Sequence, residues 1–298
     1  MRLISPTPEQ DMDKNGHLYV VATPIGNMND ITIRALKVLS EVDFIAAEDT
    51  RETGKLLAYH NIKGKLISCH EHNETEKAQD LIEKLKKGAS IALVTDAGTP
   101  SVSDPGYRIV QTALQNRIQP VPIPGPSAAI AALSVSGLPT DTYKFVGFLS
   151  KKKGKRLEQL KKLAIEPGTI IFYESPKRIS RLLREMLEVL GDRDAVFARE
   201  ITKRFEEFHR GRITEIIKEI EQKEVVRGEC TLLVSGSMRS DPVCLQDIRK
   251  VLAEELKKTG KKPSALAREM AEEYGLPRKT IYQEILEMKD RCLPETKK

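Results

Sequence analysis

From Leu18 onward, short runs of β-branched and aliphatic residues alternate with longer stretches in which apolar residues have helical spacing. Five of the short runs predict strands, at 18–22, 42–47, 65–68, 90–95 and 119–123. The stretches between them predict helices at 31–41, 52–60, 74–87 and 105–116, followed by a small-residue helix within 124–139. Strand–helix alternation is typical of a largely parallel sheet covered by helices. The sequence therefore predicts an α/β domain over residues 17–140, after a flexible leader at 1–16.

A second α/β domain is predicted over residues 141–237. Its expected strands lie at 143–150, 168–174, 194–200, 206–211 and 229–236, with helices near 155–165, 177–190 and 213–223. Because only a short turn separates 194–200 from 206–211, these two strands are expected to pair antiparallel.

A small helical domain is predicted over residues 244–292, after a polar linker at 237–243. A helix over 244–259 is expected to present one apolar face, formed by Leu245, Ile248, Val251, Leu252 and Leu256. Two further helices begin at Pro263 and after Pro277, with a turn at Gly275. Their expected contact is made by Ala267, Met270 and Ala271 on one helix and Ile281, Ile285 and Leu286 on the other. This spacing predicts a helix-turn-helix-like unit.

The composition is that of a water-soluble globular protein, with 40% hydrophobic and 31% charged residues among 298. No apolar run approaches the ~18–20 residues that a membrane span needs, and the first fifteen residues lack the apolar region of a signal peptide. The four cysteines are scattered without a C-x-x-C pair, which argues against a disulfide framework or a zinc site. A reducing, cytoplasmic location is therefore expected.

Basic residues are concentrated in one segment. Seven basic residues and one acidic residue lie between Lys151 and Lys162, a surplus equal to the net charge of +6 of the whole chain. Such a run is usually a solvated loop. It becomes a candidate for contact with phosphates when other features point to nucleic acid.

Four polar loops follow predicted strands: TPIGNMND (23–30), EDTR (48–51), DAGTPSVSDPG (96–106) and PGPSAA (124–129). In an open α/β sheet, ligands bind outside the carboxyl ends of the strands, and glycine lets a backbone approach a ligand closely. None of the loops matches G-x-G-x-x-G or G-x-x-x-x-G-K-[ST], which argues against a dinucleotide or P-loop site. Together they predict a different ligand site on one edge of the sheet.

These loops, with FYESPKR (172–178) and ARE-x-TK followed by E-x-x-x-G (198–211), resemble the tetrapyrrole-methylase superfamily of methyltransferases. The resemblance runs from about Leu18 to Gly236. Tetrapyrrole enzymes usually carry a first loop of the G-P-G-D-P type, whereas this chain has TPIGN at 23–27. In this respect it is similar to the branch that 2′-O-methylates a cytidine of bacterial 16S ribosomal RNA.

The resemblance implies two α/β domains of the tetrapyrrole-methylase type, the class III fold of S-adenosylmethionine-dependent methyltransferases, with the helix-turn-helix-like unit appended. It implies S-adenosylmethionine bound between the domains, no metal, a homodimer, and 16S rRNA or the small ribosomal subunit as substrate. Carried over by motif, the donor contacts are Pro24, Gly26, Asp96, Ala97, Gly98, Ser103, Asp104, Gly106, Ser127, Ala128, Tyr173, Glu174, Ala198 and Arg199. In this context RNA is expected to bind Lys151, Lys152, Lys153, Lys155 and Arg156. The appended helices are expected to dock on the ribosome, or alternatively to serve as a lid or dimer brace.

The chemistry of the donor suggests a role for several residues. Backbone N–H groups at the helix starts near Asp30 and Pro105 are expected to bind its carboxylate. Asp96 or Asp104 suits its amine or ribose hydroxyls, the alternative being a capping or turn role for each aspartate.

A ribose hydroxyl needs a proton acceptor before it attacks a methyl group. Glu48 or Asp49 is the expected base and Arg51 the expected clamp on an RNA phosphate, since all three directly follow a strand. The alternative for this cluster is a structural ion pair at the sheet edge. His70 and His72 are alternative bases.

Two other functions fit parts of the sequence. A tetrapyrrole C-methyltransferase of the same fold explains the loops, but neither the lysine run nor the helical tail. A nucleotide-sensing regulator would instead read DNA with tail residues Arg278, Lys279, Thr280 and Gln283. Residues 241–298 carry 13 basic and 11 acidic residues, a near-neutral balance that disfavours duplex binding.

Overall fold

The computed structural model describes residues 16–222, 227–237, 252, 255, 263–274 and 278–291. The chain divides into two compact units, one ending at Gly236 and the other beginning at Ser237. The first unit contains two five-stranded sheets, which confirms the predicted α/β class. No helix in the described ranges is long and apolar enough to cross a membrane.

The first sheet is parallel throughout and has the strand order β3-β2-β4-β1-β5. Its strands are β1 (Leu18–Val21), β2 (Phe44–Ala47), β3 (Leu66–Ser68), β4 (Ile91–Val94) and β5 (Pro120–Ile123). All five lie where the sequence predicts them. The β4 residues are buried throughout, as expected for a central strand covered by helices on both faces.

Helices cover both faces of this sheet. They are α1 (Ile33–Glu41), α2 (Thr50–Tyr59), α3 (Glu74–Lys86) and α4 (Tyr107–Gln115). Apolar residues of α1 and α2 share a core with Val21, whereas those of α3 and α4 share a second core with Leu18. The helices that follow β1 and β4 therefore lie on opposite faces, and a crevice opens between the carboxyl ends of these neighbouring strands. Such a switch point is the usual ligand site of an open α/β sheet.

The second sheet is mixed, with the order β6-β7-β10-β8-β9. Its strands are β6 (Tyr143–Phe148), β7 (Thr169–Glu174), β8 (Asp194–Arg199), β9 (Glu207–Arg212) and β10 (Cys230–Val234). Only β6 and β7 pair in parallel, and the expected antiparallel pairing of β8 with β9 is confirmed. One face is covered by α6 (Lys153–Leu163), α7 (Ile179–Leu190) and α8 (Ile213–Glu221).

The other face of the second sheet receives residues that belong to the first half of the chain. Ala132 and Leu133 of α5 (Ala128–Ser134), together with Ile25 of the loop after β1, pack against buried residues of β7, β8 and β10. This shared core holds the loops of the first sheet beside the second sheet. Each sheet comes from one of the two predicted domains, while the boundary between 140 and 141 stays a prediction.

The unit that begins at Ser237 contains α9 (Pro263–Tyr274) and α10 (Arg278–Arg291), which start at the predicted positions. Ala267 and Met270 pack against Ile281 and Ile285, as expected. Leu286, however, is 41% exposed, so its predicted contact is wrong. One residue turns a helix by about 100°, which takes Leu286 away from the face of Ile285.

Several predicted features of the termini lie outside the described residues. They are the leader at 1–15, most of the linker at 237–243, the turn at Gly275 and, apart from Leu252, the apolar face of the helix at 244–259. Leu252 is buried together with the apolar residues of α9 and α10, in agreement with its predicted side.

Candidate functional site

The loops that follow β1 and β4 are joined at the crevice. The N–H of Thr23 donates to the carbonyl oxygen of Gly98 at 2.9 Å, and the N–H of Gly98 donates back to Thr23 at 3.0 Å. The Thr23 hydroxyl adds a bond of 3.0 Å to the carbonyl oxygen of Thr95. Gly98 has a φ of +81°, a left-handed conformation that favours glycine. This short bridge fixes the first loop and the DAGTP loop relative to each other.

A cavity of about 340 Å³, here called the first cavity, lies where these loops meet the second sheet. Eight of the predicted donor contacts line it: Ala97, Gly98, Ser103, Asp104, Ser127, Ala128, Tyr173 and Glu174. The structure thus brings together motifs that are up to 77 residues apart in the chain, as counted from Ala97 to Glu174. Its volume falls within the ~300–1,000 Å³ that is usual for small-molecule sites.

Aromatic side chains form one wall of the first cavity. The ring of Tyr173 makes edge contacts with Phe145 and Phe148, at centroid distances of 5.1 and 5.7 Å. Its hydroxyl accepts the N–H of Ala129, at 3.2 Å, which ties β7 to the start of α5. Burial raises the pKa of the Tyr173 phenol, so this group stays neutral and acts as an apolar wall with one fixed polar end.

Asp104 and Glu229 line the same cavity, and Asp96 lies next to Ala97 of its wall. Burial raises the pKa of Asp104 to about 7, and the negative charges of Glu48, Asp96 and Glu229 add to the shift. Burial also raises the pKa of Asp96. A cavity with this balance of charge favours a cationic ligand over an anionic one.

Glu174 lines the first cavity, but its carboxylate is already engaged. It is 3% exposed and accepts the N–H of Ser175 at 2.6 Å and the Nε of Arg178 at 2.7 Å. The Nη1 atom of Arg178 is buried and has no hydrogen-bond partner in the described part of the chain. Glu174 therefore holds the guanidinium of Arg178 in place.

A second cavity, of about 330 Å³, lies beside the first. Pro24, Gly26 and Asp96 from the predicted donor set line it, and Ala97 lines both cavities. A Cβ atom on Gly26 would lie 2.4 Å from Cγ of Lys203 and 2.8 Å from Oγ1 of Thr202. The lack of a side chain at Gly26 is therefore required by the approach of the 201–203 loop, whatever the ligand.

The predicted reacting face, Glu48 and Asp49, is hydrogen-bonded to Asp96. The N–H of Asp96 donates to Glu48 Oε2 at 3.4 Å, and the N–H of Asp49 donates to Asp96 Oδ1 at 3.0 Å. Burial and the charge of Asp96 raise the pKa of Glu48. Asp49 instead caps α2 and binds Arg51, which holds the pKa of Asp49 well below its usual range. The geometry thus favours Glu48 over Asp49 as a base.

The alternative bases lie after β3. The rings of His70 and His72 are 6.1 Å apart, and Nδ1 of His70 is buried with no partner among the described residues. No group of three or more His, Cys, Asp or Glu side chains in the described ranges is arranged to hold a metal ion.

The predicted binding of an anion at the start of α4 is wrong. The N–H groups of Gly106 and Arg108 both donate to Oε1 of Glu74, at 3.0 and 2.7 Å. Because this helix start already carries a buried carboxylate, Gly106 has a structural role there. Near Asp30 the start of α1 is likewise capped, by the hydroxyl of Thr32.

Two predicted donor contacts from β8, Ala198 and Arg199, line neither the first nor the second cavity. Ala198 is fully buried in the sheet, and the side chain of Arg199 pairs with Glu207 across the β8–β9 ladder. Cys230 and Thr231 of β10, which the sequence did not single out, line the first cavity. The sequence alone does not show this, because the register that sets Thr231 beside Tyr173 joins strands that are distant in the chain.

Of the predicted RNA contacts, Lys151, Lys152, Lys153 and Lys155 are exposed, but Arg156 is not. Arg156 is 4% exposed, and its Nε and Nη2 lie 2.6 and 2.8 Å from the carboxylate of Glu185. Its Nη1 also donates to the carbonyl oxygens of Ser150 and Lys151. A contact between Arg156 and RNA is therefore wrong, because this guanidinium is used to hold the turn that carries the lysines.

Comparison with known proteins agrees with this architecture. Residues 17–217 match the family model described as Tetrapyrrole (Corrin/Porphyrin) Methylases. The chain is 45% identical over 278 residues to a Streptococcus pyogenes protein named Ribosomal RNA small subunit methyltransferase I, covering 92% of this chain and 96% of the relative. A Vibrio cholerae protein of the same name is 53% identical over 221 residues, covering 74% of this chain and 77% of the relative.

A solved structure shares the fold. The crystal structure of uroporphyrin-III C-methyl transferase from Thermus thermophilus, complexed with S-adenyl homocysteine, has a TM-score of 0.54 and 20% sequence identity. The match covers 73% of this chain and 97% of that protein. With the family match and the identities to its relatives, the conclusion is that this chain belongs to the tetrapyrrole (corrin/porphyrin) methylase family.

Proposed function

We propose that this protein transfers a methyl group from S-adenosylmethionine to the ribose 2′-hydroxyl of a cytidine in 16S ribosomal RNA. The observation that carries the proposal is the 45% identity, over 92% of the chain, to a relative named for methylation of small-subunit ribosomal RNA. The lysine turn around the start of α6 (Lys151, Lys152, Lys153 and Lys155) and the helices beyond Ser237 support an RNA substrate, since a tetrapyrrole gives no reason for either. The proposed enzyme works in the cytoplasm as a homodimer.

The first cavity fits the donor by its chemistry. The aromatic wall at Tyr173 and the small side chains of Ser127 and Ala128 suit an adenosine. S-adenosylmethionine supplies an electrophilic methyl group on a cationic sulfur, and the carboxylate of Asp104 offers that cation a favourable field. The backbone at Gly98 allows close approach, since no side chain stands there.

In the proposed reaction the attacking atom is the ribose 2′-oxygen. Glu48 accepts its proton as the new carbon–oxygen bond forms and the bond between carbon and sulfur breaks. A carboxylate with a raised pKa is the better proton acceptor, and this distinguishes Glu48 from Asp49. The side chain of Arg51 is 84% exposed, which supports a role in holding a neighbouring phosphate of the RNA.

The lysine turn is proposed to bind the RNA backbone. Lys151, Lys152, Lys153 and Lys155 are exposed around the start of α6, and Arg156 fixes the turn from below through the carbonyl oxygens of Ser150 and Lys151. Exposed lysines on an ordered turn contact phosphates with little loss of their own solvation.

The test uses purified protein, labelled S-adenosylmethionine and two acceptors in parallel. We expect label on small ribosomal subunits that lack the modification and none on a uroporphyrinogen-type substrate. Mapping of ribose methylation in 16S rRNA, with and without the gene, then identifies the nucleotide. Transfer to the tetrapyrrole alone would contradict the proposal. Light scattering of the same sample measures the oligomeric state, for which a dimer is expected.

A further inference from the structure

Eight of the predicted donor contacts line the first cavity, whereas only Pro24, Gly26 and Asp96, besides the shared Ala97, line the second, so most of the second cavity has no ligand assigned to it. Its walls combine the apolar side chains of Pro24, Met28 and Leu56 with the polar side chains of Thr53 and Asp96. Ligand sites in proteins typically show this composition, an apolar lining with a few placed polar groups. At about 330 Å³ it is as large as the first cavity, of about 340 Å³, so both can hold a ligand of nucleoside size.

One polar atom of this cavity lacks a partner. Thr53 is 3% exposed, and its Oγ1 makes no hydrogen bond within the described part of the chain. Buried hydroxyl groups in folded proteins are nearly always hydrogen-bonded. Thr53 lies in α2, where a threonine hydroxyl could bond to the preceding turn, yet it does not. Because Thr53 is one of the residues that line the second cavity, a ligand bound there can supply the partner that this hydroxyl lacks.

The charges of the second cavity indicate which part of a nucleotide it accepts. Asp96, Glu52 and Glu229 contribute three carboxylates to its wall, and Lys203 contributes one cation. Glu52 is paired with Lys55 outside the wall, and Lys203 is paired with Glu200 and Glu229. This balance disfavours a phosphate. It favours a group that donates hydrogen bonds, such as an exocyclic amine or a ribose hydroxyl.

The position of the second cavity relates it to the transfer step. Ile25, Ala97 and Glu229 line both cavities, so a ligand in one lies within a residue's width of a ligand in the other. Asp96 also connects this wall to the proposed base, because its N–H donates to Glu48. A donor in the first cavity and an acceptor in the second would meet at Ala97.

We propose that the second cavity binds the acceptor ribonucleoside, with base and ribose turned out of the RNA strand, and that Thr53 Oγ1 hydrogen-bonds to it. The phosphates on either side of this nucleoside stay outside the cavity, where Arg51 and the lysine turn are proposed to bind them. Enzymes that modify nucleic acids commonly turn the target nucleotide into a pocket in this way. This inference rests on the proposed RNA substrate.

The first experiment compares Thr53→Val with Thr53→Ser. Valine keeps the shape of threonine without the hydroxyl, and serine keeps the hydroxyl. Thr53→Val should raise KM for small ribosomal subunits by roughly 3- to 10-fold, the usual effect of one hydrogen bond. Thr53→Ser should stay near the wild-type value. Donor affinity, measured by calorimetry, should be the same in all three proteins. An unchanged KM in a folded Thr53→Val protein would overturn the role of the hydroxyl.

The second experiment fills each cavity separately. Met28→Trp places a large ring in the second cavity, Val102→Trp does so in the first, and Ile165→Trp adds the same ring at an exposed site. Met28→Trp should abolish transfer to RNA while the donor still binds, whereas Val102→Trp should weaken donor binding. Ile165→Trp should leave both unchanged.

The outcomes test the acceptor site in the second cavity separately from the proposed methylation of RNA. Loss of donor binding in Met28→Trp would assign the second cavity to the donor and overturn the inference, and so would full activity of that variant. In both cases the wild-type protein still methylates RNA and the proposed function stands. If the wild-type protein transfers no methyl group to RNA, the proposed function itself fails, and this inference fails with it.

Discussion

Arg51 holds the carboxylate of Asp49 with two nitrogen atoms: Nε lies 3.0 Å from Oδ1, and Nη2 lies 2.5 Å from Oδ2. The same carboxylate accepts the N–H of Arg51 at 2.8 Å and so caps α2. These bonds stabilise the ionised form of Asp49 and make it a weak proton acceptor. Its neighbour Glu48 has no such partner and shows the opposite pKa shift. Two adjacent carboxylates are thus given different roles by their surroundings.

Replacement of Glu48 tests this division. Glu48→Gln keeps the shape of the side chain but removes its basicity, and the single-turnover rate should fall by roughly 10²–10⁴. Asp49→Asn is the matched control, since asparagine is also a good helix cap and the rate should change much less. Arg51→Ala should weaken RNA binding. Equal rates for Glu48→Gln and the wild type would move the base elsewhere, with His70 the next residue to test.

Gly98 should be required for donor binding. Gly98 has a φ of +81°, and alanine in this conformation lowers the free energy of unfolding by about 1 kcal/mol or more. The strained backbone is the segment that lines the first cavity. Gly98→Ala and, more strongly, Gly98→Val should weaken donor binding in calorimetry. Gly137→Ala is the matched control, because Gly137 has a φ of +78° and open space around it. Equal donor affinity in Gly98→Val and Gly137→Ala would contradict a role for the DAGTP loop.

Asp104 should make both stability and donor binding depend on pH. Its pKa is raised from 3.8 to about 7, so the folded state holds this proton more tightly than the unfolded state. Protonated Asp104 therefore contributes to the free energy of unfolding. This contribution is complete below about pH 3.8 and is lost as the pH rises through 7. Asp104→Asn should therefore raise Tm more at pH 8 than at pH 5.

Binding of the cationic donor should favour ionised Asp104. In the wild type, donor affinity should increase as the pH rises through 7, with proton release seen in calorimetry. Asp104→Asn should lack this dependence. If the affinities of the wild type and of Asp104→Asn change in parallel with pH, the titrating group lies elsewhere.

The lysine turn should control RNA affinity alone. Replacing Lys151, Lys152, Lys153 and Lys155 by glutamine should weaken RNA binding and lower its salt slope by roughly 0.7 for each lost phosphate contact. Donor affinity and Tm should not change. An unaltered salt slope would identify the run as a solvated loop.

Arg156 should behave differently from the lysines. Arg156→Ala leaves Glu185 buried with only the more exposed Arg181 as partner, which should cost about 3–5 kcal/mol of unfolding free energy. Denaturant unfolding measures this loss. A stable Arg156→Ala protein with weakened RNA binding would restore the prediction made from the sequence.

The secondary structure follows from local patterns. Every predicted strand of the two sheets is present, because alternation of apolar runs and the helical period are properties of neighbouring residues. The same holds for the edge of the first sheet at which the loops meet, since the carboxyl ends of parallel strands always share one edge. The motifs that line the first cavity, such as DAGTP and FYES, were instead assigned to the donor by their resemblance to the tetrapyrrole-methylase superfamily.

Contacts between residues that are distant in the chain decided the lining of the first cavity and the partners of charged side chains. The sequence determined that residues 18–236 form two α/β sheets, and that a run of lysines lies around the start of α6. Only the tertiary structure decided that Cys230 and Thr231, rather than Ala198 and Arg199, line the first cavity. It also decided that Glu74 occupies the start of α4 and that Glu185 takes Arg156 out of solvent. The physical reason is common to these cases: a charged or polar side chain takes its role from the partner it is buried against, and that partner is set by packing between elements far apart in the chain.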